Sequence, residues 1–170
     1  MLPKGFSIQD MEPAYAAGVG KVLYQGWEET YRGLMPDEVL NSRTLEQCVD
    51  IAAHRLGDAL VVLTKQREVA GFVGYAAKAR PFVEREDTSE VIGLYLLRAY
   101  QKQGLGRALL KECFRRLPFP QVVLYVLDGN QNAIDFYRHM GFQFTGRQRK
   151  DPCPGGELTE LEMLAKIAEK

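Results

Sequence analysis

Glu90-Val-Ile-Gly-Leu-Tyr-Leu-Leu-Arg-Ala-Tyr-Gln-Lys-Gln-Gly-Leu-Gly-Arg107 is the stretch that decides the fold. Glu90 to Leu97 is mostly apolar or aromatic and reads as a strand. Gly104 then opens a helix that runs to Leu117, with Leu105, Leu109, Cys113 and Leu117 on one stripe. A strand, a short turn and a glycine-spaced helix start expose consecutive backbone N–H groups at the positive end of the helix dipole. Such donors favour a pyrophosphate. Gly104 and Gly106 let the backbone approach it with no Cβ in the way, and Lys102 and Arg107 add positive charge. A dinucleotide-binding turn would need Gly-x-Gly-x-x-Gly and an acid about 20 residues on. Gly104-Leu-Gly-Arg-Ala-Leu109 lacks the third glycine, which excludes it. The turn by itself leaves one competing explanation, glycines that merely relieve strain.

Downstream, Val122 to Leu127 is apolar throughout, as a central strand should be. Asn130 to Met140 reads as a helix that Gly141 stops. Phe142–Arg149 and Leu158–Ile167 supply two last strands across the turn-rich Asp151-Pro-Cys-Pro-Gly-Gly156, although Glu160-Leu-Glu-Met-Leu-Ala165 also admits a helix. Upstream, Ala59–Thr64 and Val69–Ala79 are apolar runs flanking the polar turn Lys65-Gln-Arg-Glu68. Pro81 to Ser89 is charged and reads as a loop. Gly5–Gln9 is a short opening strand, and Asp10 can cap a helix reaching Thr30. Tyr31-Arg-Gly-Leu-Met-Pro36 breaks that helix. Pro36-Asp-Glu-Val39 starts a second helix, or a pair of short ones, reaching Arg55. Strands alternating with helices predict an α/β class in a single domain over 1–170.

Of the 170 residues, 46% are hydrophobic and 26% charged, a globular composition with room for a sizeable core. Lys plus Arg and Asp plus Glu both total 22, so no net field draws the chain to nucleic acid or an anionic membrane. Cys48, Cys113 and Cys153 lie far apart with no ligand-like spacing. They imply a reduced compartment, neither a disulfide scaffold nor a metal site. The opening residues lack the apolar stretch of a signal peptide, and no apolar run approaches the ~20 residues of a membrane span. These features predict a cytoplasmic protein without nucleic-acid or membrane partners.

A second segment follows the next strand: Asn130-Gln-Asn-Ala-Ile-Asp-Phe-Tyr-Arg-His-Met-Gly-Phe142. Gln101-Lys-Gln-Gly-Leu-Gly106 resembles the pyrophosphate motif of the GNAT superfamily of N-acetyltransferases, Gln/Arg-x-x-Gly-x-Gly/Ala. The Asn130–Phe142 run resembles that family's second signature, Asn-x-x-Ala-x-x-Phe-Tyr-x-x-x-Gly-Phe, in full. Either motif alone is weak; the pair in this order is specific. The likeness spans Glu90 to Phe142 and is compatible in layout with the remainder. It implies a mixed central sheet of six to seven strands flanked by about four helices. Two central strands would splay apart to hold acetyl-CoA as co-substrate.

The resemblance also assigns roles. The cofactor's pantetheine arm would pair with the backbone of Leu94, Tyr95 and Leu96, in the manner of an added strand. The Leu96 N–H would polarise the thioester carbonyl. The pyrophosphate would rest on Lys102, Gln103, Gly104, Leu105, Gly106 and Arg107. Asn130 would bond the cofactor arm, beside its ordinary alternative as a helix N-cap. Tyr137 would be the general acid near the thioester sulfur, against the alternative of a core aromatic beside Phe136. A thiol pKa near 8.5 against about 10 for tyrosine makes full proton transfer uphill by roughly 2 kcal/mol. A hydrogen bond that strengthens as charge builds on sulfur fits better. Glu90, at the start of the strand where many relatives carry Glu, would be the base, against the alternative of a strand-edge salt bridge. Asp87 and Glu86 rank behind it.

Between the first helices, Trp27-Glu-Glu-Thr-Tyr-Arg-Gly-Leu-Met-Pro36 is similar to the acceptor-side region of bacterial small-molecule members, polyamine acetyltransferases among them. Trp27 and Tyr31, four apart, share a helix face and offer aromatic walls to a cation, unless they simply form core. Glu28, Glu29, Glu84, Glu86 and Asp87 would attract an amine, unless they are solvated surface. Ser, His and Asp form no triad, so direct attack on the thioester is expected without an acetyl-enzyme. The expected reaction is acetylation of a small-molecule primary amine. A peptide or protein N-acetyltransferase and a non-catalytic acyl-CoA sensor are the alternatives. A last strand paired between protomers would make a homodimer.

Overall fold

The computed structural model describes residues 2–54 and 58–167. In chain order these form β1 (Phe6–Asp10), α1 (Ala16–Tyr31), α2 (Asp37–Asn41), α3 (Leu45–His54), β2 (Asp58–Thr64), β3 (Val69–Ala76), β4 (Thr88–Leu96), α4 (Leu105–Arg116), β5 (Gln121–Leu127), α5 (Gln131–His139), β6 (Gln143–Cys153) and β7 (Gly156–Lys166). Single 3-10 turns lie at Pro13–Tyr15, Pro81–Val83 and Arg98–Tyr100. The strands make one seven-stranded sheet in the order β1-β2-β3-β4-β5-β7-β6. β4 and β5 are parallel, which requires the α4 crossover, while the other neighbours are antiparallel.

Each sheet face buries its own helices. On one face Leu105, Leu109, Leu110 and Cys113 of α4 and Ile134 and Tyr137 of α5 pack on Val73, Val91, Leu124 and Met163. On the other, Val19, Val22 and Leu23 of α1 and Cys48 and Ala52 of α3 pack on Val61, Leu63 and Phe72. A smaller apolar cluster joins Met35, Leu40 and Leu127, with Trp27, Tyr31, Val39 and Leu158 against it. Among the described residues no helix is long and apolar enough to cross a membrane.

The central pair of strands opens. β4 and β5 pair only through Thr88–Val91 and Gln121–Leu124. Beyond that point β4 stays with β3, and β5 stays with β7 as far as Leu127. A register shift at Gly74/Tyr75 leaves Ile92 as an extra residue in β4. Such a bulge bends and twists a strand, which carries Gly93 to Leu96 away from β5.

Several boundaries differ from the sequence expectation. Asp10 is not a helix cap: it ends β1 opposite Leu60, and its carboxylate lies 2.7 Å from Arg116 of α4. Pro13 forces the preceding Glu12 into extended backbone (φ −128°, ψ 156°), so no helix runs on from Asp10; a 3-10 turn at Pro13–Tyr15 leads into the α-helix at Ala16. β4 begins at Thr88, inside the expected loop. Its buried hydroxyls are satisfied locally, Thr88 donating to the Glu86 carbonyl and Ser89 to the Ala77 carbonyl, both at 2.8 Å. β6 runs through Pro152 to Cys153, which an edge strand tolerates, and the turn shrinks to Pro154–Gly155. The ambiguous last segment is a strand because it pairs on both edges, with β5 and β6. The expected end of the second helix at Arg55 lies outside the described residues, whereas α2 and α3 are the pair of short helices.

Candidate active site

The opening between β4 and β5 organises the site. Leu97 donates its N–H to Ala70 of β3 at 3.1 Å. Successive amides alternate sides along a strand, so the N–H groups of Leu96 and Leu94 face the opening. The Leu96 carbonyl on that side is met by Gln101 Nε2 at 2.8 Å, which ties the turn to the strand end. Gly104 is the N-cap of α4 with φ +83°, a left-handed conformation that glycine alone adopts cheaply. Ala108 is the first amide bonded back, to Gly104 at 3.0 Å. Leu105, Gly106 and Arg107 therefore have no acceptor within the helix. A Cβ on Gly104 would meet nothing within 4 Å, so the space beside the helix start is open. A Cβ on Gly106 would press on Leu96 at 3.3 Å and Phe136 at 3.4 Å, so this glycine also seats the helix on β4. The cradle has the shape and sign for a pyrophosphate.

Tyrosines bracket the same opening from both sheet faces. Tyr137, on the α5 side, is 8% exposed, packs edge-on to Phe142, and its hydroxyl makes no hydrogen bond among the described residues. Burial raises its pKa, with the Tyr95 phenol close enough to add to the effect. Asn130 caps α5, its side-chain oxygen accepting from the Ala133 N–H at 3.3 Å. Its amide NH2 has no bond among the described residues and is free for a ligand. From the other face, the Tyr95 and Tyr31 hydroxyls meet at 3.1 Å. Burial raises both phenols, Tyr31 well above its ordinary value. Trp27 packs edge-on to Tyr31 with centroids 5.1 Å apart. Its buried Nε1 has no hydrogen-bond partner among the described residues. Arg43 already stacks on the indole, 3.4 Å from the ring centroid, which leaves that face closed to a substrate cation.

Two of the five acids expected to draw an amine are paired with arginines, and a third is hydrogen-bonded to backbone. Glu28 pairs with Arg32 and Glu84 with Arg147, and Glu29 accepts from the Arg98 N–H. Glu86 and Asp87 are exposed. Glu90 is 0% exposed, and Arg80 grips it with its backbone N–H at 3.0 Å and Nε at 3.0 Å. This is the salt-bridge alternative, deeper than a strand edge. Removing the charge leaves a guanidinium facing a neutral amide. Because Arg80 keeps 41% of its side chain exposed, the cost falls below that of a fully buried pair, at about 1–3 kcal/mol. Glu90→Gln should thus lower the thermal midpoint by roughly 3–10 °C. A melt followed by circular dichroism that stays within a degree of wild type would show that the pair does not support the fold.

Sequence reasoning missed a second set of residues on this face. Glu162 of β7 is 1% exposed and accepts from Tyr125 (2.6 Å), Arg85 (2.8 Å) and Thr145 (2.9 Å). Burial alone would raise its carboxyl, but these bonds outweigh it and the net shift is downward. Phe82 lies under two guanidiniums, Arg80 at 4.7 Å and Arg149 at 4.2 Å from its ring centroid. Glu160, two residues before Glu162, lies on the same face. The only signal for these groups was the charge of Pro81–Ser89 and the Glu-x-Glu of the last strand, and neither says what it faces.

Several connections meet on the acceptor side. The turn at Gly155 reaches α2, where an added Cβ would sit 3.0 Å from Pro36 and 3.3 Å from the Glu38 carboxylate. Leu158 packs with Met35 and Tyr31, and Leu34 lies against Gly129 after β5. Arg147 holds the β3–β4 loop through the Val83 carbonyl at 3.2 Å and Glu84 at 3.0 Å.

Comparison with known proteins agrees with this geometry. The model of the acetyltransferase (GNAT) family matches residues 20–142. The uncharacterized N-acetyltransferase YuaI of Bacillus subtilis is 31% identical over 124 residues, 71% of this chain and 70% of that protein. The PaiA N-acetyltransferase of Thermoplasma acidophilum, solved with coenzyme A, superposes with a TM-score of 0.70 at 19% identity, covering 95% of this chain and 99% of that one. The ribosomal-protein-S18-alanine N-acetyltransferase of Escherichia coli gives 0.67 at 18% identity, covering 97% and 96%. The opened strand pair, the glycine cradle and these matches together make the chain a member of the acetyltransferase (GNAT) family, an N-acetyltransferase that takes its acetyl group from acetyl-CoA.

Proposed function

We propose that the acceptor is the primary amine of a small molecule, with a polyamine-like amine as the first candidate. The observation that carries this reading is the set of contacts that join the loops of the acceptor side. The α1–α2 connection touches both the β6–β7 turn and the β5–α5 turn, and the β3–β4 loop is latched onto β6. A peptide would need an open groove across that side. The ribosomal-protein enzyme of similar fold acts on an alanine of ribosomal protein S18 by its name, but 18% identity carries only the fold.

In this reading acetyl-CoA supplies an activated acyl carbon, and the chain's residues bind and orient. Lys102, Gln103, Gly104, Leu105, Gly106 and Arg107 hold the pyrophosphate through backbone donors and local charge. Leu94, Tyr95 and Leu96 offer backbone partners along the opening, and the Leu96 N–H serves the carbonyl oxygen. Asn130 bonds the cofactor arm with its free NH2 while its oxygen caps α5. Tyr137 donates its hydroxyl hydrogen bond to the sulfur as charge develops there. Its raised pKa favours such a bond over outright proton loss. Trp27 and Tyr31 wall the acceptor pocket as shape, since Arg43 holds the indole face. The base role expected of Glu90 meets a geometry that works against it, because Arg80 occupies its carboxylate.

An acceptor screen with detection of released thiol tests the proposal. Spermidine and other small primary amines should exceed an alanine-starting decapeptide in kcat/KM by about 10-fold or more, the worth of roughly 1.4 kcal/mol in transition-state binding. Preference for the peptide would overturn the small-amine reading.

A further inference from the structure

Glu160 occupies a position that no other carboxylate of the site shares. It pairs in register with Leu127 on β5, beyond the point at which β5 leaves β4, and with Arg149 on β6. Residues opposite each other on antiparallel strands share a face. Leu127 and Leu158 both pack with Tyr31 and Trp27, so Glu160 lies between them on the acceptor face, at the open end of the strand pair. Its carboxylate makes no hydrogen bond or salt bridge among the described residues. Glu90 is held by Arg80, Glu162 by Arg85 and Tyr125, and Asp151 by Arg149. Glu160 is half-buried, so it keeps a route to solvent while standing partly out of water.

Resting on the small-amine reading, we infer that Glu160 receives the ammonium group of the acceptor and takes its proton. Its surroundings suit that task. The charged and titratable groups facing it are Arg149 and Asp151 from β6, Arg80 from the β3–β4 loop, Glu90 and Tyr95 from β4, and Tyr31 from α1. β5 contributes Leu127 opposite it and, two residues away on the same face, Tyr125, whose hydroxyl donates to Glu162 of Glu160's own strand; exposed Asp128 lies beyond. Burial raises the Glu160 carboxyl; Arg149 pulls it down, Asp151 pushes it up, Arg80 pulls it down and Glu90 pushes it up, with a net rise. A carboxylate raised toward neutrality is the better base at working pH. The proton account closes. The R–NH3+ group gives one proton to Glu160 and becomes R–NH2. The nitrogen lone pair forms the N–C bond, and the C–S bond breaks with its electron pair going to sulfur. Sulfur leaves as a thiolate that accepts the Tyr137 hydrogen bond, the nitrogen loses its second proton to water, solvent protonates the released thiolate, and Glu160 later loses its proton to solvent.

Two measurements on the full chain test the inference. The first is a carbon-13 titration of side-chain-labelled glutamate, with the Glu160 resonance assigned by its absence from Glu160→Gln. It should titrate above the ordinary glutamate range near 4.3, and added spermidine should lower its midpoint, since a nearby cation favours the carboxylate. The second is kcat/KM against pH with spermidine and with the alanine-starting decapeptide. In Glu160→Gln the rate near neutrality should fall about 100-fold or more. The profile should then follow the free amine, recovering at high pH, while Glu160→Asp keeps the original acidic limb. Acetyl-CoA affinity should stay unchanged. An ordinary titration midpoint that neither acceptor moves would overturn the assignment, as would an acidic limb that survives in Glu160→Gln and disappears in Glu90→Gln. Turnover of the decapeptide alone by the wild type defeats the small-amine reading separately, and Glu160 is then judged on the decapeptide.

Discussion

Replacing Tyr137 by Phe should lower turnover about 10- to 1000-fold, the usual range for a lost acid or a lost oxyanion-type donor. The ring and its packing on Phe142 and Phe136 survive, because only the hydroxyl is removed. That hydroxyl makes no hydrogen bond among the described residues, so its loss strands no partner and the fold should hold. Acetyl-CoA affinity should change little, since the bond to sulfur strengthens mainly as the thioester breaks. Rapid-quench measurement of the chemical step, beside calorimetric affinity for acetyl-CoA, checks both halves. A near-wild-type chemical step would reduce Tyr137 to a core aromatic. The high pKa that burial gives this phenol implies that turnover does not decline through a Tyr137 ionisation anywhere below pH 10. A basic limb at lower pH that vanished in Tyr137→Phe would contradict that.

Gly104→Glu should abolish measurable acetyl-CoA binding, a loss of about 100-fold or more, because like charges brought together cost several kcal/mol. The Cβ of the new side chain would meet no atom of the fold within 4 Å. Its carboxylate would sit among the helix N-terminal donors, where the pyrophosphate belongs. The backbone at φ +83° adds a strain of about 1–2 kcal/mol. Gly104→Ala carries that strain without the charge and separates the two effects. Calorimetry should find binding weakened in Gly104→Ala and absent in Gly104→Glu, with both proteins folded by circular dichroism. Gly106→Glu should also lose binding, but its side chain would crowd Leu96 and Phe136, so its melting temperature should drop as well. Wild-type affinity in folded Gly104→Glu would remove the turn from the cofactor site.

The cofactor half of the molecule was legible in the sequence because its determinants are local. A helix N-terminus, two glycines and an Asn-to-Tyr spacing of nearly two turns are set within a few residues of chain. Gly104 as the glycine that opens α4, and the cap alternative for Asn130, were readable from residue type; the positive φ of Gly104 came with the structure. The acceptor half was not, because its contacts cross the chain. Arg80 reaches Glu90, Arg85 reaches Glu162 and Arg43 stacks on Trp27, pairs that no periodicity announces. The reading of Trp27 as a cation wall failed to foresee that an arginine sixteen residues on would take the same face.

By itself the sequence determined an α/β sheet with a glycine turn that opens a helix after one central strand and a capped helix after the next. Turn glycines, caps and apolar runs act over one or two helical turns, and their physics is complete within a segment. Only the tertiary structure decided which carboxylates are paired with arginines and which has no such partner among the described residues. That outcome depends on the register of β7 against β5 and β6, which sets Glu162 beside Tyr125 and Glu160 beside Leu127. A one-residue slip would send both acids to the opposite face. Register is fixed by burial of Leu161, Met163 and Ala165 on the other side of the strand, a choice made by the whole core rather than by the residues that carry the charge.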